Sequence, residues 1–264
     1  MTARYHAVLF DFDYTLGDTE RGIVASTRYA LEQMDLPQPP EEAILRTIGL
    51  TLERSFTALT GSSDPAGQAE FSRLFNEKAE EVMVDSAVFY PGARELVDWL
   101  QASGTAVGVV TNKNRPRIAA ILHRAGIAPA VLVSAQDARP KPAPDGILLA
   151  ANSLGLKPEE ILYIGDSCTD EAAAAAAGCD FIALTTGATR PEEFALATAR
   201  CASLAALQKQ LEQGESDDGP TSAHLCGGGG LRHHARRRSE ALSFPAHYHP
   251  GNQGTGGALR LSAV

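Results

Sequence analysis

Five short apolar runs recur along the chain: "AVLFDFD" (7–13), "AVGVVTN" (106–112), "AVLVSA" (130–135), "ILYIGDS" (161–167) and "FIALTTG" (181–187). Each is continuous rather than alternating, which is how strands buried on both faces read, because neither face meets water. Between the last four lie "NRPRIAAILHRAG", "DGILLAANSLG" and "TDEAAAAAAG", which have helical spacing and close on a glycine suited to a helix C-terminus. Strand and helix in alternation predict parallel βαβ units, and so an α/β fold on a doubly wound parallel sheet. In such a sheet ligands bind off the carboxyl ends of the strands, at a switch point. Asp11, Asp13, Thr111, Asn112, Asp166 and Ser167 all fall at those ends.

The first link breaks the pattern. About ninety residues separate the first run from the second, where a crossover needs a few dozen at most. Residues from about 18 to 88 read as helices, "RGIVASTRYALEQMD", "EEAILRTIG", "LERSFTALTG" and "AGQAEFSRLFNEKAEEVMVDS", broken by "PQPP" and "GSSDPAG". The expected organisation is an α/β core of residues 1–17 and 89–213 with a helical cap inserted at 18–88, "YPG" (90–92) serving as the return hinge. From Gly214 the composition shifts to ten glycines and five of the seven histidines in 51 residues, with no apolar period. Residues 214–264 are expected to be a disordered tail, an inert extension in preference to a His-rich metal or polyanion site.

Charge bounds the partners. Residues 1–213 hold 18 Lys/Arg against 28 Asp/Glu, a balance of -10, and the remainder holds 5 against 4. An acidic body argues against nucleic acid or a membrane surface as partner, and no apolar stretch approaches the ~18 residues of a membrane span. Four cysteines without a CxxC pair or an even framework suit a reducing setting with free thiols, so the expected location is cytoplasmic.

The chemistry concentrates at the strand ends. Asp11 and Asp13, two apart, should face one side of the first strand's mouth, and Asp166 and Asp170 flank the end of the fourth run. If those two strands are neighbours, four carboxylates gather, and they cannot all stay ionised without a cation. An all-oxygen set suits Mg²⁺. Thr111, Asn112 and Lys141 are candidate donors for a substrate's negative oxygens. A cation, a carboxylate nucleophile and oxygen donors together point to phosphoryl transfer through an aspartyl phosphate. Taken singly, each piece has a plainer explanation: a DxD is often a turn, Lys141 an ordinary solvated lysine, and "GDSCTD" (165–170) a helix cap. Their occurrence in order at the strand ends of one sheet favours a single site.

Ala7 to Leu211 resembles the haloacid dehalogenase superfamily of phosphatases, specifically the phosphoglycolate phosphatase-like branch with a small helical cap. The resemblance rests on "DFDYTL" (11–16), "VTNK" (110–113), "KPAPD" (141–145) and "GDSCTD" (165–170). It implies that Asp11 attacks phosphorus, that Asp13 protonates the leaving oxygen and later activates water, and that Thr111 and Lys141 hold the phosphoryl oxygens. It implies Mg²⁺ bound by Asp11, the backbone carbonyl of Asp13 and Asp166, with Asp170 in support, and a small phosphorylated metabolite as substrate. Asp13 favours a phosphatase or mutase over a dehalogenase, and Thr15 tilts the choice toward hydrolysis. A phosphosugar mutase, a pyrophosphatase and a non-catalytic phospho-accepting switch module stay open, although a switch has no use for a general base at Asp13. Specificity is expected from the cap, with Thr47, Arg54 and Ser55 as candidates. Two departures stand out. Tyr14 replaces the usual glycine, and its Cβ disfavours a positive φ at that turn; Asn114 stands where proline is common.

Overall fold

The computed structural model describes residues 5–216. The chain opens with β1 (Ala7–Phe10) and the short β2 (Gly17–Asp18), then runs through α1 (Glu20–Gln33), α2 (Glu41–Leu45), α3 (Leu52–Thr60) and α4 (Pro65–Ser86). It returns in β3 (Val88–Phe89) and continues as α5 (Ala93–Ala102), β4 (Ala106–Val110), α6 (Arg115–Arg124), β5 (Val131–Val133) and α7 (Asp145–Leu154). The remaining elements are β6 (Ile161–Gly165), α8 (Cys168–Ala177), β7 (Asp180–Leu184), β8 (Ala199–Cys201) and α9 (Leu204–Ser216).

One parallel sheet has the order β5-β4-β1-β6-β7-β8. From β1 the chain moves to β4 and β5 on one side, then crosses to β6, β7 and β8 on the other. The two directions diverge at β1, where a doubly wound sheet has its crevice. Alternate residues of each strand feed opposite faces. Val8 and Phe10 pack with Leu96 of α5, Ile118 of α6 and Leu207 of α9, while Ala7 and Leu9 pack with Ile147 of α7 and Ala174 of α8. Every residue of β1 is buried, which is why its sequence shows no alternation; burial of a side chain such as Phe10 stabilises the fold by about 1.5–3 kcal/mol.

Helices α1 to α4 form a layer entered and left through an antiparallel ribbon, in which Gly17 pairs with Phe89 and Asp18 with Val88. The α4 N-terminus follows from its sequence: Asp64 accepts the Gly67 N–H at 2.8 Å, and Pro65 occupies the first helical position, where no N–H is needed. Phe56 of α3 meets Phe71 of α4 at 5.6 Å between ring centroids, tying the two helices together.

The strands are shorter than the apolar runs. β1, β4 and β6 stop at Phe10, Val110 and Gly165, so Asp11, Thr111 and Asp166 each begin a loop. β8 and α9 were not among the expected elements; "ARC" carries a charged residue at its centre and too few apolar ones to register as a strand. α9 carries the chain across the composition break at Gly214, and the rest of the expected tail lies outside the described residues. Among the described residues no helix is long and apolar enough to cross a membrane.

Candidate active site

The strand ends deliver the expected residues to one place. The Asp11 N–H donates to the Ile164 carbonyl and the Thr111 N–H to the Val133 carbonyl, both at 2.9 Å, so the sheet's hydrogen bonding holds each residue's backbone even though its side chain has left the strand. Because β1 lies beside β6, carboxylate oxygens of Asp11, Asp166 and Asp170 come within 4.8 Å of one another. All three residues are buried.

Lys141, from the loop before α7, enters this cluster. Its Nζ lies 2.8 Å from Asp11 Oδ1 and 2.6 Å from Asp170 Oδ1 and donates to the Tyr163 hydroxyl at 3.2 Å. Burial works against the lysine's charge, yet Asp11 and Asp170 outweigh it and hold Lys141 above the ordinary lysine range. Three carboxylates against one lysine leave two negative charges uncompensated in a dry place. Burial accordingly pushes the Asp11 carboxyl up to about 6, with Lys141 pulling the other way and Asp170 adding to the rise. Asp166 is driven well above the carboxylate range by burial and then by Asp170 and Asp11. An oxygen-only donor set short of two positive charges fits a hard divalent cation.

The local sequence accounts for the close packing. Asp170 and Ser167 cap α8 reciprocally: the Asp170 N–H donates to Ser167 Oγ at 3.2 Å, and the Ser167 N–H to Asp170 Oδ2 at 3.1 Å. The helix-cap reading of "GDSCTD" and the site reading therefore describe the same residues. A Cβ on Gly165 would meet the Asp170 side chain at 2.5 Å, and one on Gly187 would run into the Asp166 carboxylate; glycine lets the backbone approach both acids.

Asp13 parts from Asp11. Past Phe10 the chain turns, with the Tyr14 N–H donating to the Gly17 carbonyl at 2.8 Å, and the Asp13 carboxylate goes to a different lysine. Lys113 Nζ is 3.0 Å from Asp13 Oδ2 and 3.3 Å from Thr19 Oγ1, and the Thr19 hydroxyl donates to Asp13 Oδ1. The expectation of four clustered carboxylates assumed strand geometry through Asp13; the turn leaves three, and the metal role expected of Asp13 concerns its backbone carbonyl. Tyr14 takes a φ of 55° despite its Cβ, held by its hydroxyl donating to Glu20 at 2.8 Å and by Thr186, whose hydroxyl donates to the Tyr14 carbonyl.

Thr111 is buried at the mouth of β4 and lines a cavity of about 420 Å³ between the sheet and the helical layer, together with Asp11 and Asp13. Asn112 lines it too, but its amide is engaged: Oδ1 accepts the Lys141 N–H at 3.0 Å and Nδ2 donates to the Gly49 carbonyl at 3.0 Å. These bonds position Lys141 and fasten the loop after α2. Thr47 and Ser55 line the cavity, while Arg54 is exposed on the outside of α3. Lys113, Thr19, Tyr163 and Arg117 belong to the surroundings of the site without having been picked out. Lys113 alone had a signal, as the cation that directly follows the Thr–Asn pair in "VTNK". Burial and then Glu171 and Glu193 hold the Cys168 thiol above its ordinary value, which disfavours the thiolate.

Residues 8–184 match the model of the haloacid dehalogenase-like hydrolases, and the chain belongs to that family. It is 34% identical over 213 residues to a phosphoglycolate phosphatase of Salmonella typhimurium, covering 72% of this chain and 84% of that protein. The phosphoglycolate phosphatase of Escherichia coli K12 is 33% identical over 204 residues, covering 68% and 81%. Among solved structures, a Bacteroides fragilis protein assigned to the haloacid dehalogenase-like hydrolases superposes with a TM-score of 0.74 at 37% identity, covering 77% of this chain and 99% of that one.

Proposed function

We propose that this chain hydrolyses a small phosphomonoester of the 2-phosphoglycolate type through an aspartyl phosphate on Asp11. The chain is a phosphatase; the substrate, the Mg²⁺ dependence and the individual roles are our reading. The observation that carries it is the pairing of a buried acid cluster around Asp11 with a separately held acid, Asp13, on the wall of one cavity.

In this reading an Asp11 oxygen attacks phosphorus, and the bond to the alcohol oxygen breaks as Asp13 delivers a proton to it. Asp13 then takes a proton from the water that attacks the phosphoaspartate, which releases phosphate and restores Asp11. The Thr111 hydroxyl and the Lys141 ammonium hold the phosphoryl oxygens, and Lys141 keeps Asp11 aimed at the cavity. Asp11, Asp166 and the Asp13 carbonyl would hold Mg²⁺, with Asp170 supporting through Lys141 and Ser167. When bound, the ion offsets the repulsion between the Asp11 carboxylate and an anionic ester. Residues 18–88 act as the substrate-selecting cap over a core of 1–17 and 89–213, and the acidic composition and cysteine usage support a cytoplasmic setting.

Phosphate release from a panel of small phosphomonoesters with Mg²⁺, including 2-phosphoglycolate, tests the proposal. Turnover of carboxylated esters with a phosphoaspartate trapped on Asp11 is expected. A chain that releases phosphate from none of them overturns it.

A further inference from the structure

Arg117 on α6 reaches into the cavity beneath the helical layer with only 8% of its surface exposed. Its Nη2 donates to Asn76 Oδ1 on α4 at 3.1 Å, but its Nε has no partner. Among the described residues it makes no ion pair. The charges that bear on it most are those of Glu80 and Asp13, and burial leaves its pKa below the ordinary value; a guanidinium keeps its proton regardless. One turn before Asn76, on the same face of α4, the Ser72 hydroxyl is also buried and unpartnered. A buried cation with acids near it but no direct ion pair is unfavourable unless something supplies that contact. Arg117, Asn76 and Ser72 line the same cavity as Asp11, Asp13 and Thr111.

We propose that Arg117, oriented by Asn76 and joined by Ser72, is the subsite for a carboxylate on the alcohol part of the substrate. The inference rests on the phosphatase reading and sharpens it. A carboxylate is favoured over a second phosphate because one guanidinium balances one negative charge, and the other cation lining this cavity, Lys113, is already committed to Asp13. The unpartnered Nε–H and the second Nη2 hydrogen suit a planar carboxylate. Asn76 has its own N–H₂ tied to the Ser72 carbonyl at 2.8 Å, so its oxygen faces the guanidinium and fixes the fork.

The test compares two phosphonates on the full chain with Mg²⁺ by calorimetry: 3-phosphonopropionate, which carries the carboxylate, and propylphosphonate, which does not. The wild type is expected to bind the first roughly 10–100-fold more tightly, the range of a hydrogen bond to a charged group. Arg117→Met should reduce that ratio to near one, and Arg117→Lys should retain part of it. The kcat/KM ratio of 2-phosphoglycolate to ethyl phosphate should fall by a similar factor in Arg117→Met. Without ligand this variant should melt no lower than the wild type, since it loses an unpaired buried charge; an arginine with a purely structural role would be missed. Equal binding of the two phosphonates by the wild type, or a ratio unchanged in Arg117→Met, overturns the subsite. If the wild type hydrolyses no ester, the phosphatase reading fails, and the phosphonate ratio still decides the subsite.

Discussion

Asp11 and Asp13 stand two residues apart at the end of one strand, each within 3.0 Å of a buried lysine, yet their surroundings are opposite in kind. Lys141 is shared between Asp11 and Asp170 with Asp166 close by, so negative charge exceeds positive there. Lys113 serves Asp13, with a Thr19 hydroxyl completing a compact and nearly balanced group. In the proposed function the first half of the floor takes up a cation and a phosphoryl group. The second holds one carboxylate still and passes a proton. What separates them is the turn after Phe10, which rotates the second acid away from the cluster that strand geometry would have given it.

The contrast breaks most visibly at the nucleophile. Asp11→Asn should lower turnover by roughly 10⁵–10⁶-fold, and rapid quench with a ³²P-labelled aryl phosphate should find no phosphoenzyme. Chelation by EDTA should likewise abolish turnover, and Ca²⁺, which takes more ligands at longer range, should inhibit where Mg²⁺ activates. Asp13→Asn should slow an alkyl ester by roughly 10²–10⁴-fold; with an aryl ester it should still be phosphorylated and then stall, so the quench shows label accumulating. Lys113→Gln should cost kcat roughly ten- to a hundredfold with KM little changed, because Asp13 is then misplaced and not removed, and steady-state kinetics beside Lys141→Gln would show whether the two lysines differ in kind.

The smallest effect is on stability. The Asp11 carboxyl, with a folded value of about 6 against 3.8 when unfolded, holds its proton more tightly in the native protein. The Asp11 contribution to metal-free stability should therefore be fully present below pH ~4 and be lost as the pH rises through 6. Asn at this position escapes the penalty, so in EDTA at pH 8 Asp11→Asn should melt above the wild type, by no more than about 3 kcal/mol in stability. Addition of Mg²⁺ should erase or reverse that difference in thermal melts.

Much of this was legible in the residues because burial on both faces leaves its mark along a strand. The five apolar runs correspond to β1, β4, β5, β6 and β7, and the helical patterns between them to α6, α7 and α8. What eluded the sequence is what depends on long-range geometry. Nothing local to Lys113 says that it meets Asp13 a hundred residues earlier, and nothing local to Asn112 says that its amide will join Lys141 to Gly49. Arg117 reads as an ordinary residue of an amphipathic helix until α4 is seen to close over it. β8 was missed because three residues with an arginine at the centre leave no pattern to detect.

The ribbon of β2 and β3 has a consequence of its own. The helical layer departs at Asp18 and rejoins at Val88, and those two residues are cross-strand partners, about 5 Å apart as such pairs are. A segment whose ends already touch can be lengthened, shortened or swapped at little cost in chain closure, because β1 keeps its register with β4 and β6 whatever is inserted between them. The proposed nucleophile and the layer proposed to choose its substrate are thus free to change at different rates: new specificities can be tried on the helices while the strand ends stay where the sheet holds them.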